Sequence, residues 1–427
     1  MKSILFKILK ILAGKVIKKY RPLIIGITGS VGKTSTKEAI FVVLKKRFKV
    51  RKNLKNYNNE IGVPLTILGC ESGGRSLLGW FKIFSQGISL IFKKDPDYPE
   101  MLVLEMGADK QGDIEYLIKF IPCDIGVVTA ISEVHLESFI SLENIIKEKQ
   151  KIIIHLKESH LAILNADDHN VLGMRTLTKA KIVTFGFAEN SDFKAEDIKI
   201  SYRDDNVGTS FKLYTQGKVL PVFLNSALGS MQVKAVLAAI AVASHLKINL
   251  LDIIEDLKYY KAPPGRTNLL KGVKNTLIID DTYNASPLAC KKALDILDEV
   301  IAAPAAQKIA VFGEMLELGS FTEQGHQQVG KKAAQINVDI LVAVGERARD
   351  ILRGAIGIGY PTEKTFYFDN NHSAGIFIQD RLREGDLILI KGSQGARMEQ
   401  IVKELMADPL RADKLLVRQG PEWSNNY

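Results

Sequence analysis

The 427-residue sequence predicts an α/β protein of two domains, each built on a mostly parallel β-sheet. Short apolar runs alternate with helical stretches along most of the chain, which is the pattern of repeated βαβ units. A glycine-rich turn separates the first apolar run from the helix after it. Pro263, Pro264 and Gly265 interrupt the alternation before it resumes. The chain is long enough for each domain to bury its own core.

The first strands are predicted from apolar runs that end in polar residues: 21–29 (RPLIIGITG), Met101–Gly107, Asp124–Ile131 and His160–Asp168. A helix, KTSTKEAIFVVLKKRF, opens directly at the glycine-rich turn. Ligands of a parallel sheet bind at the carboxyl ends of its strands, so the polar residues there are candidates for a site.

Residues around 190–225 alternate at period two, which predicts an antiparallel β insertion, and a helix follows over MQVKAVLAAIAVASHL. After the Pro-Pro-Gly break, four more strands are predicted within 275–284, 308–315, 339–346 and 386–393. The predicted organisation is an amphipathic helix over 1–22, a central domain over 23–262 and a C-terminal Rossmann-like α/β domain over 263–427.

Composition limits the class of protein without identifying it. Charged residues make up 25% and hydrophobic residues 46%, as in ordinary globular proteins. Cys70, Cys123 and Cys290 are far apart, which argues against a disulfide framework or a zinc site and for a reducing compartment. The net charge of +10 suits anionic partners, but no nucleic-acid-binding signature accompanies it, so we expect no nucleic acid.

The N-terminal segment MKSILFKILKILAGKVIKKY is too often interrupted by lysine to span a membrane or to act as a secretory signal. At helical spacing it has an apolar face and a basic face, formed by Leu5, Leu9, Leu12 and Val16 and by Lys7, Lys10 and Lys18. This pattern is typical of a helix in a membrane interface, or of a helix packed on its own protein. Residues 79–94 (GWFKIFSQGISLIFKK) likewise predict a second interfacial patch or a core helix.

The glycine-rich turn GITGSVGKTST, residues 26–36, predicts a phosphate-binding loop and makes the central domain a P-loop domain. Its glycines stand at 26, 29 and 32, whereas the commonest template would place the first one at Ile27. Backbone N–H groups of such a turn approach phosphate oxygens, and the helix N-terminus adds positive potential. Lys33 is expected to reach the β- and γ-phosphates and Thr34 to hold Mg²⁺. A guanine-reading N-K-x-D motif does not occur, which argues against a GTPase.

Three more residues are candidates for the same site. Glu105 ends an apolar strand, where it either holds Mg²⁺ or is a surface carboxylate. A lone histidine is more often structural than a ligand, but His135 follows the next strand, at the same edge of the sheet as Glu105, which raises the odds of a second metal site. Lys149 lies on the helix that follows, where a lysine is usually solvated.

Together these stretches resemble the Mur ligases, which build the peptide stem of bacterial cell-wall precursors. The likeness runs from about Ile24 to about Leu405. The loop matches the family form G-x-T-G-x-x-G-K-T-S. Other stretches are similar to the branch that adds D-alanyl-D-alanine: NYNNEIGVP (56–64), LEMGADKQGDI (104–114), VHLESFISLENIIKEK (134–149), DDTYNASP (280–287), FGEMLELG (312–319), GHQQVG (325–330) and IKGSQGARME (390–399).

The resemblance implies a role for each matching residue. The implied catalytic residues are Lys33, Lys149 and His135. The implied ATP contacts are Gly29, Ser30, Val31, Gly32, Lys33, Thr34, Ser35, Gln232, Arg266 and Asp281. Two Mg²⁺ ions are implied, with ligands Thr34, Glu105, His135 and a carbamoylated Lys149. The implied substrate contacts are Asn58, Asn59, Asn284, Glu317, His326, Lys391 and Ser393.

The reaction implied is ATP-dependent amide synthesis through an acyl phosphate. The substrates implied are a muramoyl-peptide acceptor and D-alanyl-D-alanine, and the protein is expected to be a cytoplasmic monomer. A related ligase for another acid and amine, such as a folate-polyglutamylating or cyanophycin-type enzyme, is an alternative. A non-catalytic nucleotide-binding scaffold is a second one.

The sequence departs from the family pattern at three places. A UDP-binding domain normally precedes the loop, and here only about 25 residues do, fewer than a domain needs. Met231 and Gln232 stand where a histidine–asparagine pair is expected, and Glu314 replaces the usual aspartate. The first departure and the basic N-terminus suggest a hypothesis. Residues 1–20 would contact the inner face of the membrane peripherally, and the ligase would act there on a lipid-linked or otherwise membrane-held muropeptide. Ligation of a soluble precursor is the simpler expectation.

Overall fold

The structure is a computed structural model that describes residues 2–54, 57–132, 139–203, 206–301, 305–420 and 423. It is a mixed α/β protein with two sheets, nine-stranded and six-stranded, and most of the strand pairs are parallel. The predicted fold class is confirmed. In the described part of the chain, no helix combines the length and the apolar character needed to cross a bilayer.

The chain forms two compact units, and each unit combines three separate stretches of sequence. The first unit comprises the residues up to Ile198, Ser210–Phe223 and Ser230–Tyr260. The second comprises Lys199–Thr209, Leu224–Gly229 and the residues from Lys261 onward. The predicted limits at 22 and 262 stay predictions.

Strands β1–β6 of the nine-stranded sheet lie in the first unit and run parallel, and β7–β9 follow as the next three neighbours. The order across the sheet is β2-β3-β1-β4-β5-β6-β7-β8-β9. The carboxyl ends of β3 and β4 therefore flank the end of β1, where the glycine-rich loop begins. The strands are β1 Leu23–Thr28, β2 Val50–Lys52, β3 Met101–Glu105, β4 Ile125–Val128, β5 Leu161–Asn165, β6 Lys181–Gly186, β7 Phe193–Arg203, β8 Asn206–Thr215 and β9 Lys218–Asn225.

Ten α-helices of the first unit are described, and the helix predicted at the glycine-rich turn is α2. The helices are α1 Lys2–Tyr20, α2 Lys33–Leu44, α3 Gly62–Leu68, α4 Leu77–Phe92, α5 Asp113–Ile118, α6 Leu142–Lys149, α7 Lys151–Ile154, α8 His169–Gly173, α9 Ser230–His245 and α10 Leu250–Leu257.

The apolar face of α1 packs on the protein's own body. Leu9 and Val16 are fully buried and Leu12 is nearly so, in one core cluster with residues of α3, α4 and β3. Of the two alternatives for this helix, the structure favours the helix packed on its own protein, because the apolar face that would have to contact lipid is already buried by other residues of the chain. Helix α4 matches neither of its alternatives in full, since Ile83 and Leu90 are buried while its other face is exposed.

The six-stranded sheet lies in the second unit, in the order β10-β11-β15-β12-β13-β14. Its edge strand β10 is antiparallel to β11, and the other pairs are parallel. Apolar clusters cover both faces. The strands are β10 Asn268–Lys271, β11 Leu277–Asp281, β12 Lys308–Gly313, β13 Ile340–Val344, β14 Thr365–Phe368 and β15 Leu387–Lys391.

The helices of the second unit stand mostly between consecutive strands, as βαβ units require. They are α11 Pro287–Glu299, α12 Thr322–Gln335, α13 Arg349–Ile356, α14 Asn371–Arg381, α15 Glu399–Leu405 and α16 Ala412–Leu415. Short 3₁₀ turns in the two units are Met174–Leu177, Val273–Asn275, Gly319–Phe321, Glu346–Ala348, Thr362–Lys364, Gln394–Ala396 and Pro409–Arg411.

Candidate active site

The phosphate loop, Gly29–Thr34, is held against the segment that follows β4. The Ser30 N–H donates to the Ala130 carbonyl (2.6 Å), and the Thr129 hydroxyl donates to the Val31 carbonyl (2.6 Å). A Cβ at Gly29 would lie 2.0 Å from the Thr129 hydroxyl oxygen, and φ is +145° there. Only glycine fits this crossing, which explains why the loop places a glycine at this position.

Lys33 is the first residue of α2, and its side chain turns back over the loop. Its ammonium donates to the carbonyls of Gly29 (2.7 Å) and Ser30 (3.2 Å). Gly32, in the left-handed region at φ +89°, precedes it and turns the chain from loop to helix. The lysine thus stands over a backbone turn at a helix N-terminus, the arrangement that binds phosphate.

Lys149, at the end of α6, is 3% exposed. Burial, and after it the positive charge of Lys33, lower the pKa of its ammonium to about 7, against the smaller opposing effects of Glu148 and Asp109. The carboxylate of Glu148 is committed elsewhere, since it accepts from the N–H groups of Gly112 and Ile114. A substantial fraction of Lys149 is therefore the neutral amine near neutral pH, which is the nucleophilic form.

Glu105 ends β3 beside the loop and is 4% exposed. Its carboxylate accepts from the Thr34 hydroxyl (3.0 Å) and from the Asn58 amide (3.1 Å). The buried ammonium of Lys37 lies 3.6 Å from the same carboxylate. The parallel pairing of β1 with β3 brings loop and carboxylate together, as expected for neighbouring strand ends.

Two glycines allow residues 57–59 to lie against the end of β3. A Cβ at Gly107 would lie 2.9 Å from the Asn58 side chain, and one at Gly62 would lie 2.2 Å from the Tyr57 backbone. The Gly107 N–H also donates to the Asn58 carbonyl (2.8 Å). Asn59 is exposed, and its side chain accepts from the Gly62 N–H (2.9 Å) at the start of α3. Asn58 thus faces the site, whereas Asn59 stabilises a helix end.

Ser35 and Gln232 are buried, at 4% and 2% exposure. The Tyr260 hydroxyl donates to the Gln232 carbonyl oxygen (2.6 Å) and lies 3.5 Å from the Ser35 carbonyl. Val31 stays exposed on the loop. The Gln232 carbonyl oxygen is thus engaged with Tyr260 inside the first unit, and the adenine contact expected for Gln232 stays a prediction.

The oxygen donors of the first unit fit a Mg²⁺ ion, which prefers hydroxyl and carboxylate ligands together with phosphate oxygens. Thr34 and Glu105 supply one of each and already touch. His135, the further ligand expected, lies outside the described residues. Within the described ranges, no three His, Cys, Asp or Glu side chains cluster as ligands.

In the second unit, Asp281 and Lys391 are brought together by strand pairing. They are register partners at the carboxyl ends of β11 and β15, and Lys391 is 2% exposed. The Lys391 ammonium donates to the Asp281 carboxylate (2.5 Å) and to the Asn284 carbonyl (2.9 Å). The other Asp281 oxygen accepts from the Thr267 N–H (3.0 Å). The pair forms an ionic cluster at the strand ends, where a parallel sheet binds ligands.

Asp280, next to this pair, ties the loop before β10 to the loop after β11. Its carboxylate accepts from the Gly265 N–H (2.9 Å) and from the Thr282 hydroxyl (2.6 Å). Full burial raises its pKa to about 6 despite these bonds. The tie holds Arg266 over the Tyr283 ring, with the guanidinium 4.0 Å from the ring centroid.

The remaining predicted substrate residues of the second unit differ in exposure. Asn284 and Glu317 are exposed, and Ser393 is buried, accepting from the Leu316 N–H (2.9 Å). His326 is fully buried. It accepts from the Met315 N–H (3.0 Å) at one nitrogen and contacts the Thr322 carbonyl (2.7 Å) at the other. Burial lowers its pKa, so a neutral ring positions the chain and offers no nitrogen to a substrate.

Sequence reasoning missed four residues of these clusters: Lys37, Asn53, Thr129 and Asp280. Lys37 follows Lys33 by one helical turn, a signal that could have placed both on one face of α2. Thr129 is the first polar residue after an apolar strand, the same signal that identified Glu105. Asn53, buried with its amide on the backbone of Glu105 and Tyr57, follows a strand too short to detect.

The Mur ligase middle domain matches residues 27–77 and 85–243, and the Mur ligase glutamate ligase domain matches residues 265–394. The chain is 30% identical to UDP-N-acetylmuramoyl-tripeptide–D-alanyl-D-alanine ligase of Bacillus subtilis (strain 168), over 91% of this chain and 76% of that protein.

Solved structures of MurF enzymes resemble this one. A crystal structure of MurF from Acinetobacter baumannii has 27% identity and a TM-score of 0.77, over 94% of this chain and 80% of that one. The MurF ligase of Thermotoga maritima, in complex with ADP, has 27% identity and a TM-score of 0.74, over 93% of this chain and 83% of that one.

Proposed function

The chain belongs to the Mur ligase family, and from this premise we propose that it forms an amide bond at the expense of ATP, adding D-alanyl-D-alanine to UDP-N-acetylmuramoyl-tripeptide. The relatives named for this reaction, and the ADP complex of one of them, support the choice of substrates and nucleotide. One observation of this chain carries the proposal. The Thr34 hydroxyl of the phosphate loop, next to Lys33 in the chain, donates a hydrogen bond to the Glu105 carboxylate at the end of the neighbouring strand (3.0 Å).

The proposed reaction has two steps. A carboxylate of the acceptor attacks the γ-phosphorus of ATP, which gives an acyl phosphate and ADP. The dipeptide amine then attacks the acyl carbon, loses a proton as the C–N bond forms, and inorganic phosphate leaves with the electrons of the C–O bond. Neither step needs a protein nucleophile, so the chain contributes alignment and charge neutralisation.

In the first unit, each role falls to a residue already positioned for it. The Lys33 ammonium exchanges two backbone carbonyls for phosphate oxygens, and the N-terminus of α2 adds its dipole. Thr34 and Glu105 would hold a Mg²⁺ ion, which neutralises phosphate charge when it is bound. Asn58 fixes the Glu105 carboxylate and faces the acceptor.

The finer predictions remain part of the proposal. Carbamoylation of Lys149 is supported by its buried, low-pKa amine: the nitrogen adds to CO₂ and releases a proton, and the carbamate turns a cation into an oxygen ligand for a second Mg²⁺. In the second unit, Asp281 is assigned to the ribose hydroxyls and Arg266 to ATP phosphate. The monomeric state and the cytoplasmic location are proposed as well.

The test is phosphate release from ATP with UDP-N-acetylmuramoyl-tripeptide and D-alanyl-D-alanine, omitting each component in turn. We expect release to require all components, with a product heavier than the acceptor by the dipeptide minus water. Lys33→Ala should lower kcat by about 10²- to 10³-fold, as removal of one preorganised charge donor does elsewhere. Lys45→Ala, at an exposed lysine just beyond α2, is the matched control. Release without acceptor, or equal loss in both variants, would contradict the assignment.

A further inference from the structure

Helix α4 carries an exposed apolar stripe along its whole length. The stripe, here called the α4 stripe, consists of Leu77, Leu78, Phe81, Ile88 and Phe92. Leu77, Phe81 and Phe92 are 85%, 71% and 82% exposed. These residues recur at helical spacing, so they share one face of a helix of 16 residues, about 24 Å long. An ordered patch of large apolar side chains in water marks an interaction surface.

The opposite face of α4 is fastened to the protein, so the stripe has a fixed orientation. Gly87 lies against Leu12 of α1, where a Cβ would come within 3.0 Å of the leucine. The Lys19 ammonium donates to the carbonyls of Leu90 (2.8 Å) and Lys93 (2.6 Å) at the end of α4. The N-terminal helix therefore braces α4 from behind and leaves its apolar stripe outward.

Lysines of α4 and of the segment after it flank the α4 stripe. Residues 2–20 and 72–94 contain no aspartate or glutamate. Lys82 lies beside the stripe on α4 and is exposed, as are Lys93 and Lys94 just after it. Apolar side chains rimmed by lysines complement a bilayer with anionic headgroups, which receives the apolar groups and neutralises the lysines.

We infer that the α4 stripe is a docking surface for an anionic lipid bilayer, on which the protein lies peripherally. A second copy of the chain fits this surface less well, because a symmetric contact would set lysines against lysines. The inference is independent of the proposed ligase activity. It also differs from contact through the apolar face of residues 1–20, which is buried and serves as the brace.

Flotation of the full chain with vesicles tests the inference. The probe is a vesicle of phosphatidylglycerol and phosphatidylcholine, and the reference is phosphatidylcholine alone. We expect binding to the anionic vesicle, and a fall of at least about tenfold in the partition coefficient for Phe81→Ser/Phe92→Ser. The triple variant Lys82→Ser/Lys93→Ser/Lys94→Ser should fall comparably, and its residual binding should lose its preference for anionic lipid.

Matched controls separate the α4 stripe from general surface properties. Leu288→Ser/Leu410→Ser removes apolar residues of 61% and 93% exposure from the second unit, and Lys331→Ser/Lys403→Ser removes exposed lysines there. Both should bind like the wild type. Trp80, next to the stripe, gives a second signal, a blue shift with anionic vesicles in a Trp423→Phe background.

Three outcomes would overturn the inference. They are no flotation of the wild type with anionic vesicles, equal loss in the control variants, or a doubled mass in light scattering that Phe81→Ser/Phe92→Ser reduces to the single-chain mass. The last result would assign the surface to a second copy of this chain. Circular dichroism of each variant shows whether it is folded, and every residue that is changed to serine is exposed.

Discussion

At the scale of the residue, the titration of Lys149 makes the stability of the folded protein depend on pH. An amine whose pKa is lowered from 10.5 to about 7 on folding makes the folded protein release a proton that the unfolded chain keeps. Below pH 7 the Lys149 ammonium is charged in both the folded and the unfolded state, so folding carries the full free-energy cost of burying this charge. As pH rises from about 7 to 10.5 this cost disappears, so the contribution of Lys149 to stability improves with pH.

The prediction is that Lys149→Met stabilises the protein near pH 6 by a few kcal/mol, and that the difference from wild type vanishes towards pH 10.5. Urea unfolding in CO₂-free buffer at several pH values measures it. Lys147→Met, on the exposed side of the same helix, should give a difference that does not change with pH over this range. Added bicarbonate should stabilise the wild type alone. A constant difference for Lys149→Met would show that its amine is charged at neutral pH.

Lys37 supplies a second prediction at this scale. Lys37 is 1% exposed, and its ammonium lies 3.6 Å from the Glu105 carboxylate. Lys37→Met keeps the volume but removes a cation that lies beside the buried Glu105 carboxylate, which should cost about 3 kcal/mol in urea unfolding.

Glu105→Gln in the Lys37→Met background is the matched control, because it removes the charge that needed compensation. The double variant should be less destabilised than the sum of the two single variants. Additive losses would mean that the two groups do not interact.

The residues that could be predicted from sequence are those with a local signature. The phosphate loop with Lys33 and Thr34 is contiguous, and Glu105 ends a visible apolar strand. Asp280 was not predicted, because its neighbour Asp281 has the same local context and only the fold shows which of them is buried. Gln232 and His326 were assigned to ligands by their positions in the resemblance. In the structure the Gln232 carbonyl oxygen accepts from the Tyr260 hydroxyl and a His326 nitrogen accepts from the Met315 N–H, and the two assignments stay predictions.

At the scale of the element, the crossing of α1 and α4 depends on Gly87. Its missing side chain lets Leu12 approach, and a Cβ would lie 3.0 Å and 3.4 Å from two Leu12 atoms and 3.4 Å from Leu68. Gly87→Val should therefore force the helices apart and cost about 1–3 kcal/mol, as overpacking does in other cores.

Ser89→Val, on the exposed side of the same helix, is the control for the cost of a β-branched residue in a helix. It should change the free energy of unfolding by less than about 0.5 kcal/mol. Equal effects of the two variants would show that helix propensity, and not the crossing, decides the result.

Elements were predictable where an apolar run was long enough to be seen. Strands β1, β3, β4 and β5, and β11, β12, β13 and β15, fall within the predicted segments because parallel strands buried on both faces are continuously apolar. Short or edge strands such as β2, β10 and β14 were missed, since half-exposed strands of three or four residues carry little pattern. The segment around α4 was identified as apolar and basic, but sequence could not tell which of its faces the protein would cover.

At the scale of the whole molecule, the charge of the chain bears on how it meets its substrates. The net charge is +10, whereas the proposed acceptor carries a diphosphate and ATP a triphosphate. A positive molecule attracts such anions before they reach the site, and salt screens this attraction over about 10 Å at 0.1 M. D-alanyl-D-alanine is a zwitterion without net charge, so the same field neither attracts nor repels it.

The prediction is that kcat/KM for UDP-N-acetylmuramoyl-tripeptide falls several-fold when KCl is raised from about 50 mM to about 300 mM, while kcat changes little, because screening acts on the encounter and not on the bound state. The dipeptide is the internal control, and its kcat/KM, measured at saturating acceptor, should stay nearly constant. If kcat/KM fell equally with salt for both substrates, the salt would be acting on the folded protein itself or on ATP binding. Measurements at fixed saturating ATP distinguish those two cases, since only an effect through ATP affinity disappears at saturation.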